Sequence, residues 1–257
     1  MPGTLLNAWA WSTTVLCVLV GFPFWVLLFC VTAPFDRGRY AAGRFFRLIA
    51  VAAIRMNPLW RFTVDGPAPR DPRRPYVAVS NHESYADVFL ISMFPWEMKW
   101  LAKTTIFKIP FMGWMMEYSL DIPVKRGDRE GAAAAMAGAR DRIDRRVSVM
   151  FFPEGTRSKT REMLPFKDGA FKLAIDTGSP ILPIAVAGTR RAMAKGSFQF
   201  KPAVARARVL TPIETAGMTA ADLPALRDRT RAVIDEGRIA LARELGIEVG
   251  GIESATA

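Results

Sequence analysis

The order of apolar and polar positions divides the chain into unlike parts. Residues 5–31 are dense in Leu, Val, Phe and Trp, and no charged side chain occurs before Asp36. About 20 apolar residues suffice to cross the hydrocarbon of a bilayer, so this stretch predicts a membrane anchor. Gly21 and Pro23 interrupt it, which leaves one kinked span and a shallow helical hairpin both open. Residues 40–56 mix Phe45, Phe46, Leu48, Ile49, Val51 and Ile54 with Arg44, Arg47 and Arg55. That pattern predicts a helix, either lying at the interface with its arginines near lipid phosphates or facing a core. Pro67, Pro69, Pro72 and Pro75 mark residues 66–75 as a loop.

Beyond the loop, short apolar runs alternate with helical periodicity. Residues 76–80, 148–152 and 181–187 read as buried strands. Residues 88–94, 131–146 and 169–177 read as helices, and so does the long segment 220–245, which stops at Gly246. The alternation predicts an α/β domain, a mostly parallel or mixed sheet covered by helices, preceded by N-terminal membrane-anchoring helices. The expected partition is 1–65 for anchor and interfacial helix, 66–249 for the globular domain and 250–257 for a frayed tail.

Charge narrows the partners. With 35 Lys+Arg against 24 Asp+Glu in 257 residues, the net charge of +11 suits a polyanion, either nucleic acid or an anionic membrane. The apolar N-terminus favours the membrane, and the scattered positive residues argue against nucleic acid. A secretory signal peptide needs a basic start, yet no Lys or Arg precedes Arg37. Arg37, Arg39, Arg44 and Arg47 then follow closely, which by the positive-inside rule puts the remainder on the cytoplasmic side of an inner or plasma membrane. Cys17 and Cys30 lie inside the apolar stretch and read as small apolar residues, with neither a disulfide framework nor a metal site implied.

The chain has one histidine, in Asn81-His82-Glu83-Ser84-Tyr85-Ala86-Asp87. Imidazole can accept and return a proton near neutrality, and a carboxylate can fix its tautomer. On one continuous helix, a spacing of five would put His82 and Asp87 about 140° apart. They can meet only if His82 sits in the turn after strand 76–80 and Asp87 in the following helix, with Asn81 or Ser84 as its cap. That placement exposes His82 at a strand's carboxyl end, where α/β proteins bind ligands. A second segment, Phe151-Phe152-Pro153-Glu154-Gly155-Thr156-Arg157-Ser158, also leaves a strand. It offers a hydroxyl and a guanidinium suited to phosphate, while Glu154 beside a buried run needs a partner or a substrate hydroxyl.

These segments resemble the ordered boxes of the PlsC-like glycerolipid acyltransferases, the lysophosphatidic acid acyltransferase family. His82 to Asp87 matches the box with a histidine and an aspartate separated by four residues, and the segment 152–158 resembles the third box in full. Leu182-Pro183-Ile184-Ala185-Val186-Ala187-Gly188 resembles the fourth, and Ile122-Pro123-Val124-Lys125-Arg126 stands in place of the second. The likeness runs from about residue 76 to residue 188. Three departures stand out. Leu120 occupies the position where the second box usually opens with glycine, Lys125 replaces a common acidic residue, and Glu83 replaces a frequent glutamine.

The resemblance implies an enzyme that moves an acyl chain from a thioester to the sn-2 hydroxyl of 1-acyl-glycerol 3-phosphate, with His82 as base and Asp87 as its orienter. It implies that Arg126, Glu154, Gly155, Thr156 and Arg157 hold the acceptor, with Lys103 as a further phosphate ligand. Acyl-CoA or acyl carrier protein would be the donor, with no cofactor and no metal. Residues 96–114, rich in Trp and Phe, would face either lipid or the core. Other lysolipids or glycerol 3-phosphate are alternative acceptors, and a non-catalytic lipid-phosphate binding module is a rival from another class. A serine hydrolase is disfavoured because Gly-x-Ser-x-Gly is absent.

Overall fold

A computed structural model describes residues 2–247, apart from residues 68, 70, 72, 126, 159–161, 195 and 196. The expected tail at 250–257 and Arg126 therefore lie outside the described residues. Two helices come first, α1 (Pro2–Thr32) and α2 (Tyr40–Met56). The strands are β1 (Trp60–Asp65), β2 (Val77–Ser80), β3 (Met98–Lys103), β4 (Ile122–Val124), β5 (Ser148–Phe151), β6 (Ile181–Ala187) and β7 (Ala203–Val209). Between and after them run α3 (Ala86–Ile91), α4 (Met112–Tyr118), α5 (Arg129–Asp144), α6 (Gly169–Thr177) and α7 (Leu223–Glu244).

The seven strands form one sheet in the order β1-β7-β6-β2-β5-β3-β4. The pairs from β6 to β4 are parallel, whereas β7 runs antiparallel to β6 and parallel to β1. The sheet is thus mixed. Every residue of β2, β5 and β6 is buried, as expected for central strands covered on both faces. On one face Ala78, Trp100, Met150, Leu182 and Ile184 pack against α3 and the end of α2. On the other, Val77, Val79, Val149 and Ile181 meet α5, α6 and α7. Local signals set the helix ends. Asp128 accepts from the Glu130 amide at the start of α5 (3.1 Å), a Thr219–Asp222 capping box precedes α7, and α6 stops at left-handed Gly178.

Strand β1 belongs to this sheet, so residues 60–65 join the globular domain and not the anchor region where the sequence reading put them. Strands β3, β4 and β7 were also not expected from the pattern. Strand β3 carries a fully buried lysine, and β7 alternates arginines with small residues, so neither reads as a plain apolar run.

Helix α1 continues unbroken through Pro23 for 31 residues, which removes the hairpin alternative. It lies along the domain. The Asn7 side chain accepts from the Phe200 amide (2.9 Å), and the Trp11 indole donates to the Phe198 carbonyl (2.9 Å). Farther along, Phe22 packs against Phe111 and Trp114, buried Trp25 donates to the Ala42 carbonyl (3.0 Å), and Phe29 meets Tyr118. Its outer side leaves Leu5, Leu16, Leu19, Phe24, Leu27 and Val31 exposed. Residues 96–114 divide accordingly: Trp96 and Trp100 are core, while Phe111 and Trp114 support α1.

Two of the three arginines of α2 turn toward the domain, while Arg55 in its last turn is exposed. Arg44 donates to the Ser92 carbonyl (3.2 Å), and buried Arg47 pairs with Asp121 and with Glu97 (3.5 Å). Lys99, fully buried, bonds Glu97 at 3.0 Å and the Arg39 carbonyl at 2.9 Å. Gly43 makes room for this cluster, because a Cβ there would lie 2.2 Å from Glu97 Oε1. Burial pushes the Glu97 carboxyl up and the Lys99 ammonium down from their ordinary ranges, against their mutual attraction. Each charge is tolerable only with its partners in place.

Candidate active site

The parallel strands deliver their carboxyl ends to one edge of the sheet. His82 follows β2, the segment from Pro153 to Ser158 follows β5, Lys103 ends β3, and Thr189 follows β6. The expected strand-turn-helix geometry is present, with α3 starting at Ala86 and Asp87 in its first turn. Nδ1 of His82 lies 2.8 Å from Oδ2 of Asp87. The same carboxylate oxygen accepts from the amides of Glu83 (2.7 Å) and Ser84 (2.9 Å), and the Thr189 hydroxyl donates to Oδ1. Every contact asks the carboxylate to accept. Nδ1 is therefore the donor, and in the neutral ring the lone pair lies on Nε2. The imidazole is about nine-tenths buried and stacks on Phe152 with ring centroids 4.0 Å apart.

The turn around His82 is held from several sides. Asn81 does not cap α3. Its side chain donates to the Val186 carbonyl and accepts from the Val186 amide, both at 2.9 Å, which ties the turn to β6. Ser84 Oγ accepts from the Ala86 amide (3.2 Å) and donates to the Met193 carbonyl (2.8 Å). The Asp87 carboxylate satisfies the turn amides, the task expected of a separate cap residue.

Glu154, expected as an acceptor ligand, is engaged by the protein's own backbone. It is buried, its Oε1 accepts from the His82 amide (2.7 Å), and its Oε2 accepts from the Leu164 amide (2.9 Å). Burial raises its pKa, while the two amides and the neighbouring imidazole oppose that rise. With both oxygens engaged by backbone, Glu154 fastens the β5 exit to the His82 turn. Gly155 turns the chain at φ +70°, a left-handed conformation that L side chains resist. Thr156 and Arg157 continue the turn half-buried, with the Arg157 guanidinium 3.7 Å from the Tyr85 ring centroid. Ser158 donates its amide to the His82 carbonyl (3.3 Å) and accepts from Arg190 (3.2 Å).

Lys103 is exposed at the same edge, separated from β2 by β5, so it flanks the His82 turn at a distance. Lys125, at the exit of β4, pairs with Asp128 at 3.0 Å. Glu83 is drawn into the site by its neighbours: burial and the Asp87 charge push its carboxyl up to about 7, opposed by Arg190 and Arg238. Sequence reasoning missed Thr189 and the second bond of Asp87. Thr189 directly follows the fourth box, which was the available signal.

The family described as Acyltransferase matches residues 61–187. The chloroplastic 1-acyl-sn-glycerol-3-phosphate acyltransferase BAT2 of Brassica napus is 38% identical over 194 residues, covering 72% of this chain and 53% of its own length. The 1-acyl-sn-glycerol-3-phosphate acyltransferase alpha of Homo sapiens is 32% identical over 212 residues, covering 80% of this chain and 75% of its own length. The chain thus spans about half the length of the plant relative. In fold, it superposes on the crystal structure of PlsC, the 1-acyl-sn-glycerophosphate acyltransferase of Thermotoga maritima, with a TM-score of 0.78 at 24% identity, covering 97% and 98% of the two chains. The ordered boxes and these relatives lead to one conclusion: the chain belongs to the glycerolipid acyltransferase family of the 1-acyl-sn-glycerol-3-phosphate acyltransferases.

Proposed function

We propose that this protein transfers an acyl chain from a thioester to the sn-2 hydroxyl of 1-acyl-glycerol 3-phosphate, forming phosphatidic acid. The observation that carries the reading is the 2.8 Å contact between His82 Nδ1 and Asp87 Oδ2, which in the neutral ring puts the lone pair on Nε2, at a strand's carboxyl edge. Nε2 takes the proton of the acceptor hydroxyl as its oxygen attacks the thioester carbonyl carbon. The tetrahedral intermediate collapses with cleavage of the C–S bond, and the imidazolium returns the proton to the leaving thiolate. Asp87 stabilises the imidazolium, and Thr189 and the two turn amides keep that carboxylate in place. No acyl-enzyme is needed, because the acceptor oxygen is the nucleophile. A phosphate-binding module without chemistry would have no use for so closely buttressed a base.

Arg157, Thr156 and Arg126 supply acceptor contacts in this reading, and Lys103 lies at the rim. Acyl-CoA and acyl carrier protein both suit the basic chain as donors, since each carries phosphate. Helix α1 is fastened to the domain near both ends, at Asn7 and at Phe29, so its exposed apolar side lies in the lipid alongside the catalytic domain, on the cytoplasmic face. The test is an acceptor panel with purified protein in vesicles and labelled acyl donor. Transfer to 1-acyl-glycerol 3-phosphate well above transfer to glycerol 3-phosphate or to uncharged monoacylglycerol supports the reading. Equal or greater transfer to either of the others rejects the acceptor assignment.

A further inference from the structure

Lys167 belongs to none of the boxes. It lies in the segment between the β5 exit and α6, where its amide donates to the Pro153 carbonyl (3.0 Å). That bond pins the segment against the turn that carries Glu154, Gly155 and Arg157. From there the side chain reaches over the turn: a Cβ on Gly155 would lie 2.6 Å from Lys167 Nζ and 3.0 Å from Cε. The lysine is exposed to solvent, and its ammonium forms no ion pair among the described residues. The adjacent carboxylates are engaged elsewhere. Asp168 bonds Arg227 (2.8 Å), and both oxygens of Glu154 accept from backbone amides. A cation held across the active-site turn without a protein counter-charge is arranged for an anionic ligand.

We propose that Lys167 is a further binding residue of this site, its ammonium meeting a phosphate oxygen of a substrate above Gly155. The inference rests on the acyl-transfer reading for which substrates are meant. Two of them carry phosphate: the acceptor head group and the pantetheine-bearing donor. The absence of a side chain at Gly155 gives the lysine its path, so the glycine serves the cation as well as the turn.

The experiment compares wild type with Lys167→Gln and Lys167→Arg in detergent micelles, with circular dichroism as a check on folding. Two readouts are taken: equilibrium binding of 1-acyl-glycerol 3-phosphate against uncharged monoacylglycerol, and steady-state titration of acceptor and of acyl-CoA. Loss of one charge-assisted contact to phosphate predicts affinity weakened about tenfold or more in Lys167→Gln, substantially restored in Lys167→Arg. Weaker acceptor binding assigns the contact to the acceptor head group, and a raised acyl-CoA KM assigns it to the donor. Unchanged binding and unchanged KM for both substrates overturn the proposal, as does equal weakening for the uncharged lipid. If wild type binds the phosphorylated lipid but transfers no acyl chain, the acyl-transfer reading fails while the binding arm still decides Lys167.

Discussion

At the scale of the residue, the site is governed by what the Asp87 carboxylate must accept. Two turn amides, one hydroxyl and the imidazole converge on it, and that convergence sets the tautomer of His82. Glu83 is the residue under electrostatic stress beside it. Its carboxyl is pushed up to about 7, so the folded state holds a proton that the unfolded chain has already released. Stability from this group is present at low pH and falls as pH rises from the ordinary carboxylate range toward 7. Glu83→Gln removes the titration and places the family's frequent residue here. It should raise the melting temperature near pH 8 and leave it little changed near pH 4.5. An equal shift at both pH values would mean that the carboxylate charge is not the cause. His82 and Asp87 were legible in the sequence because their meeting depends on a local turn. The Thr189 hydroxyl bond and the backbone bonds of Glu154 were not, since both depend on segments distant in the chain being brought within hydrogen-bond reach.

At the scale of the element, the connection from α4 into β4 stores strain. Leu120 adopts φ +67°, in the left-handed region, at the position where the family usually has glycine. Its amide donates to the Glu117 carbonyl (2.9 Å) and its carbonyl accepts from Arg142 (2.9 Å), so the turn is held despite the side chain. A left-handed L-residue costs about 1–2 kcal/mol, and glycine's extra unfolded-state entropy returns about 0.5–1 kcal/mol of that. Leu120→Gly should therefore stabilise by up to about 1 kcal/mol, a rise of about 2–4 °C in melting temperature. A fall would show that the half-buried leucine packs for more than its backbone costs. The departure from glycine was visible in the sequence, but its conformation was not. The same limit applied to α2, whose arginines carried an amphipathic pattern. The burial of Arg47 against Glu97 and Asp121 required knowing that β3 and the α4–β4 turn lie beneath that helix.

At the scale of the molecule, the mixed sheet collects four chain segments at one edge while α1 and α2 cover a neighbouring flank. The central strands were legible because their buried residues form continuous apolar runs. The outer strands were hidden by lysine and arginine, and strand order by the long range of the pairings. In the proposed function, the fastening of α1 along the domain makes an apolar stretch, long enough to span a bilayer, one side of a lipid-facing platform. On this account the platform presents a membrane lipid to a base that is already oriented. The most direct test is transfer of a labelled acyl group to 1-acyl-glycerol 3-phosphate in vesicles by wild type and by His82→Ala, with vesicle binding measured in parallel. The account predicts unchanged vesicle binding and a loss of turnover of roughly 10²–10⁴-fold, the contribution of a positioned general base. Turnover near the wild-type rate in the bound variant would contradict it.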